Sequence, residues 1–285
     1  MKCAVRRVIW IVIAVLIAAG AVACGGARAP LPAAGSVDAD KFLHDRGQEE
    51  LAKEHWIQAR LYFRTLVDTY PASPYRYAAK LGIGDSYLGE NRIESHILGA
   101  HEFREFLTYF PGHARADYAQ YRLAVAQMRQ MLGAERDQTA TREALRELNS
   151  FLERFPSSQL RPEVEKLHRQ VRDRLSESEF RIGRWHYRSR YYLGALWRLL
   201  PLLAEDPGYT RKDSVLFYLG ETYFALNAPA DARKYFEWLL KDYPNTEHAE
   251  DARERLDQIK ALEADPPKEP VKKGAGGSAS GAGSS

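Results

Sequence analysis

Residues 215–244 read VLFYLGETYFALNAPADARKYFEWLLKDYP, and their spacing decides the fold. Two apolar runs with helical periodicity, 210–226 and 229–243, flank a short break. Gly220 and Ala232 are small where two antiparallel helices would cross, since a larger side chain would push the backbones apart. Phe236 is placed to fill the groove beside that crossing. Pro244 lacks an N–H and biases Tyr243 away from helical angles, so the second run stops there.

The offsets recur. Ala232, Phe236 and Pro244 lie 12, 16 and 24 residues after Gly220; Gly183, Ala195, Leu199 and Pro207 keep that spacing, as do Gly47, Ala59, Phe63 and Pro71. Gly99, Phe103 and Pro111, then Ala144, Leu148 and Pro156, keep its second half after longer interhelical loops. Leu219, Gly220, Tyr223, Ala232, Phe236 and Pro244 match the tetratricopeptide signature. The expected fold is therefore all-α: a tetratricopeptide solenoid of about five helix-turn-helix repeats closed by a C-terminal capping helix. An ordinary helical bundle with coincident small residues is the competing reading. The expected helix pairs are 38–53 with 55–70, 74–89 with 94–110, 113–132 with 139–155, 160–188 with 191–204, and 210–226 with 229–243. A last helix, 246–262, carries its apolar residues in one stripe, Ala249, Ala252, Leu256 and Ile259, as a solenoid cap does.

The segment from Pro162 to Arg188 is interrupted only by Gly183 and predicts a helix about 40 Å long. It would join an N-terminal half of three repeats, 38–156, to a C-terminal half of two repeats and the cap, 157–262. Two shorter helices breaking at Ser176-Glu177-Ser178 are the alternative.

The chain opens like an exported lipoprotein. Lys2, Arg6 and Arg7 precede an apolar run of 16 residues, Val8–Ala23, that ends Ala21-Val22-Ala23-Cys24. Small residues before a cysteine read as a lipoprotein signal over residues 1–23, with Cys24 acylated. Ala21 stands where Leu is usual, and an uncleaved membrane anchor is the alternative. Residues 24–37 then form the lipidated Cys and a flexible linker, whose Gly25–Ser36 stretch spans roughly 20 Å as a coil. Gly25, rather than Asp, after the Cys fits sorting to the outer membrane. Residues 263–285, rich in Pro, Lys, Gly and Ser, are expected to be a disordered tail.

Composition excludes several functions. The two cysteines are Cys3 and Cys24, so no disulfide is available within the mature chain. Loss of three signal-peptide cations brings 41 basic residues to 38, equal to the 38 acidic ones. No nucleic-acid footprint remains. No HExxH, phosphate loop, GxSxG or paired cysteines occur, and the eight histidines are scattered, so no enzyme, metal site or cofactor is expected.

Two aromatic groups stand out instead. Tyr70, Tyr75, Tyr77, Tyr87, Tyr109, Tyr118 and Tyr121 crowd the second and third repeats, where they serve either helix packing or a groove for a peptide backbone. Arg184, Trp185, Tyr187, Arg188, Arg190, Tyr191 and Tyr192, extended by Arg198, are of the types that dominate protein contacts; an interhelical seam with solvated arginines is the alternative.

Residues 70–88, YPASPYRYAAKLGIGDSYL, and 103–128, FREFLTYFPGHARADYAQYRLAVAQM, resemble the BamD family of tetratricopeptide lipoproteins from the outer-membrane β-barrel assembly machinery. Tyr70-Pro71, Pro74-Tyr75, Phe103, Pro111, His113, Asp117-Tyr118 and Tyr121 carry the resemblance. It continues through ERFPSSQL, DRLSESEF and DYPNT, covering nearly the whole mature chain. Ala114, where the family commonly has Pro, and the Gly/Ser tail depart from it. The resemblance implies a non-catalytic scaffold, lipid-anchored at the periplasmic face of the outer membrane. Unfolded outer-membrane protein precursors would meet Tyr75, Tyr77, Asp117, Tyr118 and Tyr121. Arg184, Arg188 and Arg198 would contact the periplasmic domain of BamA, with other lipoproteins of the machinery as further partners. A pilotin for secretin or pilus assembly and a division adaptor are the rival readings; the turn motifs disfavour the first, and the absence of a coiled coil or wall-binding module disfavours the second.

Overall fold

The computed structural model describes residues 36–264, which form eleven helices and no strand. The expectations for the signal, Cys24, the linker up to Gly35 and the tail from Asp265 lie outside the described residues. The chain divides into two compact units, one up to Ser86 and one from Tyr87. The first holds α1 (Ala39–Ala52), α2 (Trp56–Thr69) and most of α3 (Arg76–Gly89). The second holds α4 (Ile93–Tyr109), α5 (Ala116–Met128), α6 (Thr139–Arg154), α7 (Arg161–Arg188), α8 (Tyr192–Glu205), α9 (Lys212–Ala225), α10 (Pro229–Asp242) and α11 (Ala249–Ala264). Within the second unit each helix packs mainly on the next in sequence, as a solenoid requires.

The crossings are built as the spacing predicts. A Cβ placed on Gly220 would lie 2.6 Å from the Phe236 ring, and one on Gly183 would lie 2.6 Å from Leu199. Gly47 in the first unit faces Phe63 in the same way. Phe63, Phe236 and Leu199 are fully buried, a contribution of about 2 kcal/mol each.

Each second helix ends at a residue before proline, and the same two turns follow. The N–H groups of Ser73, His113, Ser158, Tyr209 and Thr246 donate to the carbonyls of Tyr70, Phe110, Phe155, Asp206 and Tyr243. Those of Arg76, Ala116, Arg161, Lys212 and Ala249 donate in turn to the carbonyls of the first five. First helices therefore start one to three residues later than periodicity suggests, because these turns use the residues that hydrophobic spacing assigns to a helix. Within three hairpins, Glu54, Arg190 and Asn227 adopt positive φ, with the N–H of the next residue reaching back five positions. This is the Schellman closure, here made without glycine.

A polar staple repeats as well. Ser73 Oγ donates to Asp40 at 2.6 Å, Ser158 Oγ to Asp117 at 2.6 Å, and Thr246 Oγ1 to Asp213. The fourth hairpin reverses the roles. Ser176 holds the helix position and donates to Asp206 in the turn.

The long helix α7 runs unbroken for 28 residues, through Ser176 and Ser178, which point inward and are buried. Its N-terminal half packs on α6 and its C-terminal half on α8. The connection from α5 to α6 is held by Gln138, whose amide donates to the carbonyls of Gly133 at 2.7 Å and Arg136 at 2.9 Å.

Candidate functional site

In the first unit, Tyr75 closes the turn before α3. Its ring stacks on His44 of α1 with centroids 4.8 Å apart, and its N–H donates to Ser73 Oγ. Tyr77 follows in the first turn of α3, half-buried. In the second unit, Tyr118 lies under the guanidiniums of Arg115 and Arg122, 4.5 and 5.9 Å from the ring centre. Tyr121 packs against the cluster of Ala124, Leu145 and Leu148. Asp117 is engaged by the Ser158 hydroxyl and by the Tyr118 N–H at 2.7 Å. Its carboxylate thus fastens a turn, at the position that Asp40 and Asp213 occupy in other repeats.

The three arginines are not equivalent. The Arg184 guanidinium lies 5.8 Å from the Phe180 ring centre, half-buried along α7. Arg188 is exposed in the last turn of that helix. Arg198 stands on α8, its stem against the Gly183 crossing, and pairs with Glu179 at 3.0 Å. Arg198 lines a groove of about 540 Å³ between the start of α6, α7 and α8; Arg184 and Arg188 do not.

At one wall of this groove an ionic knot forms around the buried Asp206. Arg169 donates to Asp206 at 2.8 Å and to Asp173 at 2.9 Å, and Ser176 adds its hydroxyl to Asp206. Burial alone would push the Asp206 carboxyl up; the Arg169 and Ser176 hydrogen bonds outweigh it and hold the group below its ordinary range. Tyr209, buried and donating to Glu177, is pushed up from the usual phenol value by burial first and the carboxylate second. Tyr187 behaves alike, bound to Glu221, which Arg255 of α11 also grips. These groups fasten helices to one another.

Sequence reading misses Arg136, Arg142 and Arg172, which share the groove with Arg198. No periodic signal marks them, because they come from a loop and two helices. Trp197 stands on the groove rim, 83% exposed, and its sequence position alone does not reveal that. Among the described residues, no group of three or more His, Cys, Asp or Glu side chains could hold a metal ion, and no helix is long and apolar enough to cross a membrane.

The fold and its turns define a helical-repeat protein of the tetratricopeptide type. Over residues 37–237 the chain matches the family profile YfiO, described as outer membrane lipoprotein, and it belongs to that family. It is 27% identical over 262 residues to the outer membrane protein assembly factor BamD of Caulobacter vibrioides, covering 92% of this chain and 84% of the relative. The BamD of Xylella fastidiosa strain Temecula1 is 22% identical over 222 residues, covering 72% and 73%. Among solved structures, a tetratricopeptide repeat protein from Parabacteroides merdae is 14% identical, with a TM-score of 0.34 over 81% of this chain and 94% of that one.

Proposed function

We propose that the chain is a non-catalytic lipoprotein held at the periplasmic face of the outer membrane by acyl groups on Cys24. There it receives unfolded β-barrel precursors and passes them on through contact with BamA. The observation that carries this reading is the family match over residues 37–237, joined by a BamD relative that aligns with 92% of the chain. Physical chemistry supports it. A barrel precursor presents unpaired strand edges and alternating apolar side chains that aggregate in water. A tethered repeat surface raises its local concentration beside the insertion machinery without any bond-breaking chemistry.

Tyr75, Tyr77, Asp117, Tyr118 and Tyr121 are the proposed precursor contacts, and Arg184, Arg188 and Arg198 the proposed BamA contacts. The tyrosines are half-buried, each with an apolar body and a hydroxyl suited to a peptide backbone. Replacing Tyr75 and Tyr118 together with Ala should cut photo-crosslinking to a barrel C-terminal peptide about tenfold, with helicity unchanged by circular dichroism. Unchanged crosslinking removes the tyrosines from the site. Arg198→Glu should lower co-purification of BamA, and retained co-purification strikes that residue out. Radiolabelled palmitate should mark the wild type and not Cys24→Ser; label in both places the lipid elsewhere.

A further inference from the structure

The outward face of α2 carries an apolar pair that its packing does not use. Ile57 and Leu61 stand two residues before and two after the small crossing residue Ala59, 68% and 50% exposed, while Ala59, Tyr62, Phe63 and Leu66 fill the buried side. The same register positions are Arg142 and Arg146 around Ala144 of α6, and Ala230 and Lys234 around Ala232 of α10, all exposed. In α8 they are Leu193 and Trp197, beside the Arg198 proposed above for the BamA contact. The repeat thus accepts charge at both positions, and aliphatic side chains left there in water are not a demand of the fold.

The chain enters this hairpin from the proposed anchor. Residues 25–35 separate Cys24 from Ser36, where the described structure begins, and a coil of that length spans roughly 20 Å. Ser73 Oγ donates to Asp40 at 2.6 Å, so the start of α1 lies beside the turn that follows α2. Leu61 and Ile57 lie eight and twelve residues before Thr69, the end of α2, which is about 12 and 18 Å along the helix. Both fall within reach of the linker, so a bilayer that holds Cys24 can also lie along α2. The composition of the helix suits that place. Its cations are Arg60 and Arg64, and its one acid is Asp68. Arg60 turns inward to Ser86, whereas Arg64, exposed one turn beyond Leu61, can reach from beside the aliphatic pair to a lipid phosphate.

We propose that α2 rests its outward face on the lipid surface of the outer membrane, with Ile57 and Leu61 entering the headgroup layer and Arg64 meeting phosphate. This rests on the lipid anchor proposed above and deepens it, turning one point of attachment into two and fixing which side of the first hairpin faces the bilayer. Two aliphatic side chains are too few to draw a chain out of solution. A tether changes the balance, because it holds α2 at a roughly millimolar effective concentration, where a weak partition is occupied.

The test uses the mature chain from Cys24, whose single thiol is coupled to a maleimide lipid in vesicles of phosphatidylethanolamine and phosphatidylglycerol. Dansyl-alanine replaces Ile57 in one sample and Ala230 in another, and its emission is read against quenching by lipid spin-labelled near the headgroup. A blue shift at 57 is expected, with at least about threefold more quenching there than at 230. Leu61→Asp, or the milder Leu61→Ser, should remove at least about half of the quenching at 57. Lys234→Asp, at the matching position of α10, should leave it within about 1.2-fold. Circular dichroism and thermal melts confirm that each variant folds. Equal quenching at 57 and 230, or undiminished quenching in both Leu61 variants, would overturn the proposal. So would an unquenched 57 at which benzoylphenylalanine crosslinks to a protein in cells, which would assign the face to a protein partner. The tether is chemical, so the failure of the anchor reads separately: absence of palmitate from Cys24 in cells would overturn the anchor, while the vesicle result still decides what α2 binds.

Discussion

The fourth hairpin, α7 with α8, and the fifth, α9 with α10, share one register and diverge in how they use it. Both cross at a glycine 12 residues before an alanine, both close through a residue at positive φ, and both end before a proline. The fifth fastens its turn with a neutral hydroxyl on a half-buried carboxylate, Thr246 on Asp213, and shows Ala230 and Lys234 to water. The fourth holds a buried carboxylate, Asp206, with the half-exposed Arg169 and the buried Ser176, and shows Leu193 and Trp197. The shared positions keep helices together, and the positions free to vary differ in what they show to water.

The largest effect should come from breaking what the hairpins share. Gly183→Leu and Gly220→Leu each force a side chain into Leu199 or Phe236, and should cost about 3 kcal/mol in urea melts. Gly112→Leu, at an exposed turn where a Cβ meets nothing, should cost less than about 0.5 kcal/mol. Equal losses at all three would mean that the crossings are not tight.

Next come the staples. Asp206→Asn leaves Arg169 without its buried partner and should cost about 2 kcal/mol; Asp213→Asn should cost about half that. The Asp206 carboxyl is held low, so its stabilisation is present above the unfolded-state value of about 4 and fades as pH falls through the folded value. The gap between wild type and Asp206→Asn should therefore be full at neutral pH and close in acid, below about pH 4. A gap that widens in acid contradicts the ionic knot.

The smallest effect lies in the loops. Arg190 takes a φ of 60° in the fourth hairpin and Asn227 one of 58° in the fifth. Asparagine tolerates that conformation better than arginine. Arg190→Gly should raise stability by about 0.5 kcal/mol, and Asn227→Gly should change it by less.

The repeat was legible because glycine, alanine, phenylalanine and proline each do one steric task at a fixed spacing. Gly220 with Phe236, and Gly183 with Leu199, follow from sequence alone. The staples were not legible. Asp117 invites a recognition role from its place beside Tyr118, and in the fold its carboxylate accepts from Ser158, 41 residues on. A serine and an aspartate that far apart announce nothing until the turn brings them together. The groove was hidden for the same reason: Arg136, Arg142, Arg172 and Arg198 converge from three helices and a loop, whereas Arg184, Arg188 and Arg198 stand out by local density. Trp185 on α7 and Trp197 on α8 are large apolar residues within helices, and only the packing shows them outside the core.

A role in the assembly of outer-membrane barrels is open to a direct experiment: depleting the protein and following folded barrels by their heat-modifiable gel mobility. The folded bands should fade while unfolded precursors accumulate, and a copy carrying Gly112→Leu should restore them where Gly183→Leu does not. Undiminished folded barrels after full depletion would rule that role out.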